Sequence, residues 1–317
     1  MKREGEFSRI VVGAKMSEKR LNLVVGIATS GRREYLSETI DLLARQTRLP
    51  DRLLINPVSP LDLDPACMER FPAPSSVVSG QIGSSAQRNQ IISAAGEADV
   101  VVFFDDDFFA CSDYLAEIEH LFLSHQDVVA VTGRPLADGI NGPGLSVAQA
   151  MSIISEAGPA PDRTISEAYG TYGCNMAFRL PTLRQHAILF DENLPLYGWQ
   201  EDIDFSRRLA PYGRIVRSEQ LRGVHLGTKR GRTSGLRLGY SQIANPVYLV
   251  RKGTVSWQHA WPLIWKLLAI NLVRSLHPEP WIDRRGRLRG NFLALIDIAR
   301  GRMSPRRILE MEPPPSR

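Results

Sequence analysis

VVFFDDDFF, residues 101–109, is the stretch on which the fold reading turns. With Val100 its first half is wholly apolar, the pattern of a strand in the middle of a sheet and buried on both faces. Three aspartates follow at once, an arrangement that is costly beside a core unless something neutralises them. Side chains at i and i+2 of an extended chain point the same way. Asp105 and Asp107 can therefore face one point and Asp106 another. Two hard carboxylates on one side suit Mg²⁺ or Mn²⁺, which keep positions open for phosphate oxygens. The competing reading is an acidic turn that caps the next helix, but caps seldom use three acids.

On the amino-terminal side, residues 23–28 (LVVGIA) read as a buried strand and 29–31 as a turn. Leu36, Ile40 and Leu43 then recur at helical spacing in a helix that ends near Gln46. Short strands are expected at 53–55 and 77–78, with a helix over 86–95 stopped by Gly96. Beyond the aspartates come a helix over 114–123 and a strand over 128–131. Alternating strands and helices predict a mostly parallel sheet with helices on both faces. Ligands of such sheets bind at the carboxyl ends of the strands. Segments 29–33 and 56–64 fall there with the aspartate triplet, so the first half is expected to bind a nucleotide or something similar.

Residues 139–161, rich in Gly, Ala, Ser and Pro, read as a joint or flexible loop. A helix over 200–209 turns Ile203, Phe205 and Leu209 inward. In WPLIWKLLAINLVRSL (261–276), Trp261, Trp265, Leu268, Leu272 and Leu276 share one helical face, and Lys266, Asn271 and Arg274 lie opposite. The stretch is too short and too charged to read as a membrane span. It either packs on the main domain or lies in a membrane interface.

Three further motifs bear on chemistry. In YGWQEDIDF (197–205), Glu201 and Asp202 open a helix, whose positive end holds a carboxylate ionised and fit to act as a general base. In GVHLGTKRGRTSG (223–235), His225 is a candidate third metal ligand. Lys229, Arg230 and Arg232 could close over a diphosphate, or could form a solvated basic loop. In GSSAQRN (83–89), Arg88 and Asn89 enter a helix at a place suited to anions.

The 317 residues are 43% hydrophobic and 23% charged, the profile of a soluble globular protein. The net charge of +5 gathers in 229–237 and 284–307, pointing to phosphate or anionic lipid. Aromatics do not alternate with these clusters, which argues against nucleic acid. Cys67, Cys111 and Cys174 have neither disulfide nor zinc spacing and fit a reducing cytosol. The first 20 residues lack an apolar run and read as a flexible, non-secretory terminus.

In this order the motifs resemble the inverting family 2 glycosyltransferases of the GT-A fold, from about Leu21 to Thr233. The resemblance takes in Thr29 and Arg32, Arg88 and Asn89, the triplet, NMAFR (175–179), FDE (190–192), WQED (199–202) and His225. It implies a GT-A domain over 21–245, with a nucleotide-sugar half (21–135) and an acceptor half (136–245). A carboxyl-terminal amphipathic helical region (246–317) would follow, similar to the membrane-proximal ends of enzymes that build bacterial surface polysaccharides. It further implies that Asp107 binds a divalent cation bridging the donor's phosphates, with Asp105 near the ion or the ribose and His225 completing the metal site. Asp202 would be the base, Glu201 would help hold the acceptor, and Thr29, Arg32 and Asp106 would lie along the nucleotide. Asn56 stands where the family often has an acidic residue that contacts the base. The expected partners are a nucleotide-sugar donor, a glycan or lipid-linked acceptor and an anionic membrane, with the enzyme peripheral on the cytoplasmic face. Two rivals are a sugar nucleotidyltransferase, against which LVVGIATSGRRE lacks a Gly-rich lysine loop, and a non-catalytic membrane-surface protein.

Overall fold

The computed structural model describes residues 20–158, 163–231 and 233–311. The terminus expected to be flexible falls almost wholly outside the described residues, and Arg232 lies outside them too.

The amino-terminal half runs β1 (Leu23–Thr29), α1 (Arg33–Leu43), β2 (Arg52–Pro57), α2 (Pro65–Arg70), β3 (Ser75–Val77), α3 (Ser84–Ala95) and β4 (Val100–Asp105). After it come β5 (Phe108–Ala110), α4 (Tyr114–Ser124), β6 (Val128–Gly133), β7 (Ala137–Asp138), α5 (Val147–Glu156) and β8 (Ile165–Glu167). Then follow β9 (Asn175–Arg179), α6 (Leu180–Gln185), α7 (Glu201–Leu209), β10 (Arg214–Ser218) and β11 (Gly223–His225). The chain closes with α8 (Gly235–Lys252), α9 (Trp257–Arg274) and α10 (Arg284–Ala299).

Among the described residues the main sheet has eight strands in the order β3-β2-β1-β4-β9-β6-β10-β8. β4 is central, as its apolar run requires. Val100, Val102 and Phe104 meet the layer of α1, α2 and α4, while Val101 and Phe103 meet that of α3, α6 and α7. β1 to β4 pair in parallel. β9 enters antiparallel between β4 and β6. NMAFR is therefore a core strand that locks the two expected halves into one sheet.

A small sheet, β5-β11-β7, sits over the strand ends. Its register sets His225 opposite both Phe108 and Asp138. It holds the aspartate triplet in a bend between β4 and β5.

Segment 139–161, expected to be loop, contains α5. Ser146 and Gln149 form a capping box at its start. Val147, Ala150, Met151 and Ile154 pack on Phe109, Val224 and Leu226. The Gly and Pro flanks obscured this short apolar period.

The carboxyl-terminal helices cluster around Tyr240, Ile243, Ile264 and Ala294. The unit begins at Gly235, ahead of the boundary expected at 246, and α8 runs across that boundary. α8 and α10 meet through Gly239 and Gly290. A Cβ on Gly239 would lie 2.0 Å from the Arg287 carbonyl oxygen, so only glycine permits the approach. Asn271 is fully buried and donates to Gln242 and Asn291. Ala260, Ile264 and Asn271 thus turn inward, while Lys266, Arg274 and the tryptophan side of α9 are exposed.

Candidate active site

The carboxyl ends of β1 and β4, the small sheet, the start of α7, Gly231 and Thr233 enclose a cavity of about 480 Å³. Thr29, Arg32, Arg88, Asp105, Asp106, Glu201, Asp202 and His225 line it. The motifs that lie far apart in sequence therefore converge on one cleft.

The bend after β4 separates the three aspartates. Asp106 turns towards β1, where it accepts hydrogen bonds from Thr29 Oγ1 at 2.6 Å and Arg32 Nη1 at 2.9 Å. Burial raises its pKa to about 7, against the pull of Arg32. Asp105 and Asp107 share the other direction with His225. Each of the three offers a donor atom, and these atoms lie within 4.8 Å of one another. Asp107 Oδ2 accepts from the Thr228 backbone N–H at 2.9 Å, whereas Asp107 Oδ1 is buried without a hydrogen bond. Around that oxygen lie longer ionic contacts, to His225 at 3.4 Å and Arg32 at 3.7 Å. Two carboxylates and an imidazole around it form a donor set that fits Mn²⁺ or Mg²⁺.

His225 Nδ1 lies 2.9 Å from Asp138 Oδ1, and Nε2 lies 3.4 Å from Asp107 Oδ1. Burial disfavours the imidazolium, but Asp107 and Asp138 outweigh it and push the pKa up to about 10. Burial likewise opposes the Asp107 carboxylate, yet His225 and Arg32 hold its pKa down at about 2. His225 is thus charged here rather than neutral, and ligation would displace its proton.

Arg88, 5% exposed, spans the cleft. One guanidinium nitrogen donates to Asp105 Oδ1 at 3.1 Å and the other to Glu201 Oε1. Burial lifts Glu201 to about 8, more than Arg88 lowers it. Asp202 keeps its Oδ2 near the cavity wall, accepting from the Gly173 N–H at 2.9 Å. Burial raises its pKa as well, partly offset by the Ile203 and Gly173 backbone donors.

Other expected residues sit elsewhere. Asn56 is 1% exposed and donates to the Gln87 carbonyl and to Gln90 Oε1, behind the cavity rather than in it. Lys229 Nζ donates to the Gly139 and Ile140 carbonyls. Arg230 extends to Glu34 at 3.1 Å, while its carbonyl accepts from Arg32 Nε. Asn89 fixes the 190–192 segment, through the Phe190 backbone and Glu192. The sequence reading named Trp199 and Gln200 only within WQED and gave no role to them, to Asp138 or to Tyr172. Tyr172 donates to Asp138 at 2.7 Å. Trp199 Nε1 and Gln200 Oε1 are buried without partners in residues that line the cavity. Gln200 and Leu196 hold positive φ, a strain that collects at functional sites. Only the tryptophan beside the acidic pair hinted at this loop.

No known protein family's profile matches the chain, nor does any curated protein. Solved structures do resemble it. Residues 1–349 of TarS from S. aureus superpose with a TM-score of 0.50 at 15% identity, covering 89% of this chain and 92% of that one. The mannosyltransferase PcManGT from Pyrobaculum calidifontis, in complex with GDP-Man and Mn²⁺, gives 0.56 at 15%, covering 92% and 86%. GalNAc-T7 with UDP, GalNAc and Mn²⁺ gives 0.55 at 13%, covering 92% of this chain and 56% of that one. The likeness establishes a mixed α/β fold of the GT-A glycosyltransferase type.

Proposed function

We propose that the protein is an inverting glycosyltransferase of the family 2 kind, moving a sugar from a nucleoside diphosphate to a glycan or lipid-linked acceptor. Surface polysaccharide synthesis at the cytoplasmic face of a membrane is the setting that fits its basic, tryptophan-bearing carboxyl-terminal helices. The observation that carries the reading is the convergence of Asp105, Asp107 and His225, whose donor atoms lie within 4.8 Å of one another, in a cleft that Arg88 ties to Glu201. Similarity to structures that hold UDP or GDP-Man with Mn²⁺ supports the same donor class.

Asp105, Asp107 and His225 would hold the divalent ion. When bound, that ion supplies positive charge to the donor's diphosphate and to the leaving group. Thr29 and Arg32 line the nucleotide end, with Arg32 fixed by Asp106. Asp202 takes the proton of the acceptor hydroxyl. The hydroxyl oxygen bonds to the anomeric carbon as the carbon–phosphate oxygen bond breaks, and its electron pair leaves with the nucleoside diphosphate. Attack opposite the leaving group inverts the configuration. Glu201, held by Arg88, positions the acceptor beside Trp199 and Gln200.

The test is thermal stabilisation by UDP and GDP with Mn²⁺ and with EDTA, followed by product analysis. A Mn²⁺-dependent shift and nucleoside diphosphate release are expected. Pyrophosphate release would favour a nucleotidyltransferase, and no shift with any nucleotide would overturn the reading.

A further inference from the structure

The outward side of α9 carries tryptophans at every fourth residue. Trp257, Trp261 and Trp265 are 49%, 51% and 52% exposed, and Leu272 and Leu276 continue the stripe. The indoles stack edge to face, with centroids 6.0 Å and 5.5 Å apart. Isolated apolar side chains on a surface are ordinary, but a continuous row of this size marks a contact. The opposite side of the helix is engaged: His259 stacks on Tyr169, Leu263 lines the cavity and Asn271 is buried.

Charge selects the occupant. Residues 251–311 hold twelve Lys and Arg against four Asp and Glu. Glu279 is already paired with Arg284, and Asp297 with Arg302 and Arg307. Lys266 and Arg274 on α9 and Arg285 and Arg289 on α10 are exposed. A second copy would set one cationic face against another. An anionic bilayer satisfies both features, because indoles favour the headgroup region and Lys and Arg are drawn to its negative surface potential. No helix among the described residues is long and apolar enough to cross a membrane, so contact is in the plane of the interface.

We infer that α9 lies on an anionic lipid surface through the Trp257–Trp261–Trp265 stripe. The reading of the cavity as a transferase site adds a consequence that rests on it: the acceptor is lipid-borne. Leu263 places the cavity wall across the same helix from the stripe, about 10–12 Å away, one helix diameter.

Flotation of the full chain with phosphatidylglycerol–phosphatidylcholine vesicles tests the docking, with phosphatidylcholine alone as control. Brominated lipids give a second readout, since four of the five tryptophans lie at 257–281. Flotation should need the anionic lipid and fade at high salt. Trp261→Ser with Trp265→Ser should weaken partition at least about tenfold, with Tm and the nucleotide–Mn²⁺ shift unchanged. Absent flotation and quenching for the intact chain would overturn the docking, as would a dimer in light scattering that the double variant dissolves. Flotation without nucleotide binding would instead remove the transferase reading and leave the docking standing.

Discussion

Asp138 Oδ1 lies 2.9 Å from Nδ1 of His225, which turns the ring's other nitrogen towards Asp107. Pairing of β7 with β11 fixes this relationship, and the Tyr172 hydroxyl holds Asp138 from behind. Carboxylates in this position orient a metal-bound histidine and raise its basicity. Asp138→Asn should weaken Mn²⁺ binding about 10–100-fold while leaving the fold intact. Titration followed by electron paramagnetic resonance measures it; an unchanged affinity would free Asp138 of that role.

Asp202 gives a kinetic prediction. Asp202→Asn should retain nucleotide binding and lose transfer by about 10²–10⁴-fold. A base works in its deprotonated form. Burial raises the Asp202 pKa, so the acid limb of kcat against pH should lie above the ordinary aspartate range. Rate should climb with pH through that limb and then level. A limb near the usual aspartate value, or a fully active variant, would discard Asp202 as the base.

Arg88 links Asp105 with Glu201 in the buried floor of the cleft. Arg88→Ala strands two carboxylates there and should cost about 3–5 kcal/mol, read by denaturant unfolding. Arg88→Lys keeps charge but cannot serve both partners, so it should fall between. A loss under about 1 kcal/mol, the scale of an exposed pair, would show that solvent replaces the guanidinium freely.

Asp191 ties the main domain to α8. It accepts from Lys252 at 2.6 Å and Tyr248 at 2.8 Å, and its side chain is 9% exposed. Burial opposes its charge, but Lys252 and the other donors outweigh burial and hold the pKa down at about 2. A depressed folded pKa stabilises above the unfolded value, and the benefit fades as pH falls through the folded one. Asp191→Asn should therefore cost about 1–2 kcal/mol at neutral pH. Its deficit against the parent should shrink between roughly pH 4 and pH 2. A deficit that stays constant with pH would trace to packing rather than charge.

The local elements of the first half were legible because each carries its own signal. β4 was read from its apolar run, α1 from Leu36, Ile40 and Leu43, and the end of α3 from Gly96. The divergence of Asp106 from Asp105 and Asp107 was expected from the alternation of an extended chain, but a turn at Asp106 and Asp107 produces it. NMAFR gave no direction of pairing, because antiparallel insertion between β4 and β6 depends on strands far away in sequence. Asn56 and Lys229 looked available because a sequence shows residue types and not the carbonyls that engage them.

By itself, then, the sequence determined most strands and helices of the first half and its acid-bearing bend, since those follow from neighbours a few residues apart. Tertiary structure alone decided that Asp138 backs His225, that Arg88 spans the cleft and that the tryptophan side of α9 faces out. Each of these depends on which distant surfaces meet, and burial and hydrogen bonding settle that only when the whole chain is packed.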